Sequence, residues 1–134
     1  MDLVLVGLAG SGKTAVGRRL ASRHGAVFVD LDDQIEAAAG ASIAEIFEGE
    51  GETAFRRRER EAVLALGGPD TGPSLARVIS PGGGAVMDPR NRWSLYRGRR
   101  VAWLDVRPEV LAQRIEKDSA KYRKLIQDAK IKLD

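Results

Sequence analysis

Leu3-Val4-Leu5-Val6-Gly7-Leu8-Ala9-Gly10-Ser11-Gly12-Lys13-Thr14 is the stretch on which the reading of this chain turns. Its first four residues form an unbroken apolar run, the pattern of a short strand buried on both faces of a parallel sheet. Gly7 ends the run and opens a string that fits G-x-x-x-x-G-K-[ST], a phosphate-binding loop. The glycines let backbone N–H groups turn inward as an anion nest, and a helix starting behind the loop adds partial positive charge. Gly10, Ser11 and Gly12 then wrap phosphates, Lys13 reaches the β- and γ-phosphates, and Thr14 ligates Mg²⁺.

Working outward, residues 14–24 follow helical spacing, with Val16 and Leu20 on one side and Gly25 as the stop. A second strand at 27–29 delivers Asp30 and Asp32 at its carboxyl end, and 33–39 reads as a helix closed by Gly40. Ser42 and Glu45 form a capping-box pattern that opens the next helix. Residues 51–66 make a longer helix, and the Gly, Pro, Asp and Ser of 67–74 a loop. Val78-Ile79 is a third strand, followed at once by Gly82-Gly83-Gly84. Asp88-Pro89 gives an N-cap and a proline at the first helical position. A fourth strand is predicted over 101–106, with Trp103 in the core. A helix from Arg107-Pro108 toward Glu116, another over 122–129 and a last strand over 130–133 complete the order. Strands alternating with helices imply right-handed βαβ units. The predicted fold is α/β: one domain over 1–134, a P-loop three-layer αβα sandwich on a mostly parallel five-stranded sheet.

Ligands of such sheets bind beyond the carboxyl ends of the strands. Asp30 and Asp32 stand there, placed to hold Mg²⁺ through water and to take a proton from an attacking hydroxyl. The competing reading is that one of them merely caps the following helix, and Asp33 is assigned to a cap or to the surface. Arg56, Arg57 and Arg58 are about 100° apart on a helix and cannot share a face, whereas Arg56 and Glu59 can. One planar guanidinium suits a carboxylate-bearing substrate; Arg57, Arg58 and Arg60 read as a solvated charged face. The three glycines at a strand end permit close approach of a ligand or of backbone.

A length of 134 residues suits one domain, and 43% hydrophobic with 31% charged residues excludes a disordered chain. The absence of cysteine excludes a disulfide scaffold and a thiolate nucleophile. A single histidine, His24, excludes a multi-histidine metal site. The net charge of +3 sits wholly in residues 117–134, which carry six basic and three acidic residues; the rest carries 16 of each. A balanced body is poor support for nucleic-acid binding. No membrane-length apolar stretch or signal peptide is read, so a cytoplasmic location is expected; a monomer is also expected. Five of the six lysines lie at or beyond Lys117 and 15 of the 16 arginines before it. The end at 117–134 is therefore atypical, either through a different history or as a chance fluctuation.

Taken together, the motifs resemble the shikimate kinase family. The resemblance covers about residues 3–116: the phosphate loop with Gly17-Arg18-Arg19-Leu20, Asp30-Leu31-Asp32, Ser42-Ile43-Ala44-Glu45-Ile46-Phe47, Gly51-Glu52, Phe55-Arg56, Glu59 and Gly82-Gly83-Gly84-Ala85-Val86. It implies transfer of the ATP γ-phosphate, with Mg²⁺, to the 3-hydroxyl of shikimate in aromatic amino-acid synthesis. It implies that Asp32 binds the shikimate hydroxyls and serves as base, beside Lys13. Asp30 would hold Mg²⁺ through water, and Arg56 would pair with the carboxylate, supported by Glu59. Gly82 and Gly83 would line the pocket, and Arg114 would lie against adenine. The family's lid, with its Arg-Pro-Leu-Leu, has no counterpart where Glu116-Lys117-Asp118 runs into Ser119-Ala120. A second carboxylate arginine and the terminal helix are also missing. Two other readings stay open: a related small-molecule kinase, such as a gluconate kinase, and a minimal P-loop scaffold that binds nucleotide without turnover.

Overall fold

In a computed structural model of the chain the described residues are 1–7 and 12–104, together with the backbone of 132–133. The opening apolar run becomes β1 (Asp2–Val6), buried at every position. Then follow α1 (Lys13–His24), β2 (Val27–Asp30), α2 (Leu31–Ala39), α3 (Ile43–Glu50) and α4 (Glu52–Ala65). After a loop come β3 (Arg77–Ser80), a single 3-10 turn (Ala85–Met87), α5 (Pro89–Tyr96), β4 (Arg100–Trp103) and β5 (Lys132–Leu133). The sheet has five strands in the order β2-β3-β1-β4-β5. β1 pairs in parallel with β3 and β4, and β3 with β2. β5 joins β4 antiparallel, Trp103 opposite Lys132. This is the mostly parallel sheet expected.

Alternation along β1 divides the core. Leu3 and Leu5 face α1, packing on Val16, Leu20 and Ala21 with Val78 and Ala102. Val4 and Val6 face the other layer, against Leu31 of α2, Val63 of α4 and Leu95 of α5. Each such buried side chain contributes about 1.5–3 kcal/mol of hydrophobic stabilisation, which is why the central strand has no polar face. A third cluster, Ile35, Ile46 and Phe55, ties α2, α3 and α4 together beside the sheet.

Two readings need correction, and the exposure of one further residue follows from the strand order. α2 begins at Leu31 rather than at residue 33, because Asp30 caps it and the helix starts directly on the strand. Trp103 is 41% exposed, not core: it is the last residue of β4, beyond Val101 and Ala102, which are buried on the two faces of the sheet. Val27 is 61% exposed because β2 is an edge strand with a neighbour on one side only. The helices expected around 107–116 and 122–129, and the question of whether 117–134 is atypical, lie outside the described residues.

Candidate active site

Because β1, β2 and β3 run parallel, the segments leaving their carboxyl ends gather at one edge of the sheet. Gly7 leaves β1, Asp30 ends β2, and the glycine triplet follows Ser80 of β3, with Asp30 in register with Ser80.

Of the phosphate loop, Gly10 and Ser11 lie outside the described residues, while Gly12, Lys13 and Thr14 are placed. Gly12 adopts φ 87° and ψ 16°, the left-handed conformation that a side chain disfavours by about 1–2 kcal/mol. Among the described residues no side chain caps α1, and its first turn holds no acid; the leading amides of a helix are the donors that suit an anion. Lys13 Nζ donates to the Gly7 carbonyl at 2.8 Å, spanning the loop's two ends. An ammonium has three donors, which leaves two for phosphate oxygens. Thr14 is exposed on the first turn of α1. This donor set fits a polyphosphate. Mg²⁺ commonly takes one or two carboxylates plus substrate phosphates rather than an all-protein cage. Among the described residues no group of three or more His, Cys, Asp or Glu side chains is placed to hold a metal ion.

Asp30 and Asp32 divide their work. Asp30 Oδ1 accepts from the backbone N–H of Asp32 at 2.9 Å and of Asp33 at 3.4 Å. Both readings of Asp30 therefore remain compatible, since one carboxylate oxygen serves the cap and the other is left for water or a cation. The cap also fixes the backbone from which Asp32 projects. Asp33 is exposed, as expected. Asp32 is half-buried. Burial raises its pKa, the negative Asp30 and Glu36 raise it further, and Lys13 opposes them. A carboxyl so placed holds a proton more tightly than an ordinary aspartate.

On α4, Arg56 Nη1 donates to both oxygens of Glu59, at 3.1 and 3.3 Å. Glu59 is only 3% exposed, while the Arg56 side chain keeps 44% of its surface open. Burial raises the Glu59 pKa, and the hydrogen bond and charge of Arg56 pull it back. Glu59 thus anchors the guanidinium from behind; Nη2 stands 3.7 Å from the exposed Glu52 carboxylate, a long pair on the solvent side, and the side chain stays part open to a carboxylate.

The glycine triplet meets both groups. A Cβ on Gly82 would stand 2.6 Å from Asp32 Oδ1. A Cβ on Gly84 would overlap Arg56 Nη1 and lie 3.2 Å from Cζ and Nη2. Gly83 has open space around its Cβ position. The close approach expected at the triplet is therefore made by two side chains of the protein itself. Sequence reasoning missed Gly84, whose contribution is a side chain it does not have. It also misread Arg60, whose Nη1 donates to the Arg90 carbonyl, Asn91 Oδ1 and Ser94 Oγ, locking α4 to α5. Arg58 pairs with Glu50, and Arg57 is the solvated member of the run. Arg114, expected against adenine, lies outside the described residues.

A phosphate-loop motif leading into α1, beside a half-buried carboxyl and an anchored guanidinium on a mostly parallel sheet, is the arrangement of a P-loop kinase of small molecules. A family model described as shikimate kinase matches residues 9–134. A shikimate kinase from Symbiobacterium thermophilum is 49% identical over 126 residues, 94% of this chain and 70% of that protein. One from Parasynechococcus marenigrum is 47% identical over 126 residues, 94% of this chain and 62% of that protein. Among solved structures, the shikimate kinase of Acinetobacter baumannii in complex with shikimate superposes with a TM-score of 0.69 at 37% identity, over 96% of this chain and 71% of that one. The chain belongs to the shikimate kinase family. It spans about two thirds of the length of these curated relatives. Among the described residues no helix is long and apolar enough to cross a membrane.

Proposed function

We propose that this chain binds ATP at the loop around Lys13 and shikimate at the pocket of Asp32 and Arg56, and phosphorylates the shikimate 3-hydroxyl. The observation that carries this is the convergence of Asp32, on α2, and Arg56, on α4, upon the same three glycines. One is suited to a hydroxyl and the other to a carboxylate, the two functions shikimate presents. Arg56 pairs with the carboxylate, and Glu59 holds its orientation. Gly82 and Gly83 line the pocket; no atom stands within 4 Å of the Cβ position of Gly83. Asp32 binds the hydroxyls and takes the proton of the attacking one as its oxygen bonds to the γ-phosphorus. The bond from that phosphorus to the bridging oxygen breaks, and ADP leaves. Lys13 neutralises charge gathering on the phosphoryl oxygens. Thr14, and Asp30 through water, would hold Mg²⁺, which would supply further neutralisation of the phosphates. Arg114 against adenine, a cytoplasmic location and action as a monomer without nucleic acid or membrane complete the reading.

Turnover is expected to be slow. Residues 116–119 hold no Arg-Pro-Leu-Leu, and without a lid arginine both charge stabilisation and exclusion of water are reduced. The test is coupled measurement of ADP release with shikimate or gluconate as acceptor. Slow release that depends on shikimate and disappears in Asp32→Ala is the expected result. Release that ignores shikimate, or is faster with gluconate, overturns the proposal.

A further inference from the structure

Arg56 can bind a carboxylate only where its guanidinium is held; apart from a long, exposed ion pair of Nη2 with Glu52 at 3.7 Å, the holding has two sides. Glu59 supplies one, accepting from Nη1 at 3.1 and 3.3 Å. Backbone of the glycine triplet supplies the other: Nη1 occupies the volume that a Cβ on Gly84 would fill, and Cζ and Nη2 lie 3.2 Å from that point. Gly84 is not there for its backbone freedom. Its φ of −78° and ψ of −23° are ordinary right-handed values open to any L residue. Nothing in the chain's path demands glycine at this position; the space occupied by Arg56 does.

We infer that Gly84 is a positioning residue for the substrate carboxylate, acting through Arg56: its missing side chain is the seat in which the guanidinium lies against Glu59. This inference rests on the reading of Arg56 as the carboxylate's partner. A methyl group at residue 84 leaves the backbone unstrained and evicts only the far end of a flexible arginine. Glu59, 3% exposed, cannot follow it. Displaced by about 1 Å, a bidentate donor loses its alignment, and misplacement on that scale weakens a positioned interaction by roughly tenfold or more.

Isothermal titration with the full chain tests this. The ligands are shikimate, its methyl ester and ATP; the proteins are wild type, Gly84→Ala, Arg56→Ala and the double variant. The expected result is about a tenfold rise in the shikimate Kd for Gly84→Ala and less than about twofold for the uncharged ester. The double variant should match Arg56→Ala, because the two residues act as one unit. ATP affinity should be unchanged, which separates loss of seating from loss of fold. Wild-type affinity for shikimate in Gly84→Ala, with Arg56→Ala weakened, overturns the role of Gly84 and leaves Arg56 standing. Wild-type affinity in Arg56→Ala overturns both. Equal weakening for ester and acid means that the methyl merely blocks the pocket, and overturns the inference. A crystal structure of Gly84→Ala decides the seating itself. Arg56 should have left Glu59, and an ion pair still within about 3.5 Å contradicts the inference.

Discussion

Asp32 and Glu59 are acids kept where charge is disfavoured, and that has a consequence for stability as well as for chemistry. Burial raises the pKa of both above their ordinary values. An acid whose folded pKa exceeds its unfolded one binds more protons in the folded state, so stability falls as pH rises through that interval. The penalty is absent below the unfolded Asp32 value of 3.8 and complete above the raised folded value. Asp32→Asn is therefore expected to raise Tm at pH 7 by a few degrees, the gain fading near pH 3, while abolishing shikimate-dependent ADP release. Thermal unfolding at the two pH values checks this, and a lower Tm at pH 7 contradicts it. Lys13, Asp32, Arg56 and Glu59 were legible in the sequence because each belongs to a local pattern: a loop motif, a strand end, a helix spacing of three. Gly84 and Arg60 were not. The partner of Gly84 is on another helix, and the charged run around Arg60 says nothing of α5, whose Asn91 and Ser94 take up its donors.

At the scale of elements, the site depends on how closely α1 can lie on the sheet. A Cβ on Gly17 would overlap the Phe28 ring of β2 and stand 3.3 Å from Leu5 Cδ1. Alanine would improve helix propensity by about 1 kcal/mol, but overpacking a close-packed seam costs about 1–3 kcal/mol. Gly17→Ala should therefore destabilise on balance, by about 1 kcal/mol in urea unfolding; a clear stabilisation would show that this seam is loose. The main elements could be read because both faces of β1 are apolar and because Gly25, Gly40 and Ser42 punctuate the helices. What periodicity could not supply was position within the sheet. Edge or centre decides how much of Val27 shows, and the last residue of β4 decides the fate of Trp103.

Across the whole molecule the two edges of the sheet have opposite characters. The carboxyl edge keeps Arg56 partly open for a ligand, while the amino edge closes its arginines on a buried acid. Asp2 is fully buried, accepting from Arg77 Nε at 3.0 Å and Nη2 at 2.6 Å and from Arg99 Nε at 2.8 Å. Arg99 in turn donates to the carbonyls of Ser94 and Gly67, joining α5 to the loop after α4. Burial pushes the Asp2 pKa up, but the hydrogen bonds of the two arginines outweigh it and hold the carboxyl below its ordinary value. Its stabilisation is therefore present above the unfolded value of 3.8 and lost as pH falls through the folded value. Asp2→Ala leaves the Arg99 charge buried and uncompensated and should cost about 3–5 kcal/mol in denaturant unfolding at pH 7. Its stability should also lose part of its fall below about pH 4, and an unchanged acid limb would contradict the knot's role. None of this was visible at Asp2 in the sequence, since its partners Arg77 and Arg99 reach it only through the parallel register of β1 with β3 and β4. The +3 of residues 117–134 leaves the remainder with no net charge.

The central claim is that Arg56 and Asp32, meeting at the glycine triplet, form a pocket for shikimate. Calorimetric titration of shikimate into the wild-type chain and into Arg56→Ala tests it most directly. Saturable binding by the wild type, weakened at least tenfold in Arg56→Ala with ATP binding intact, is the expected result. Equal affinity of the two proteins for shikimate would contradict it.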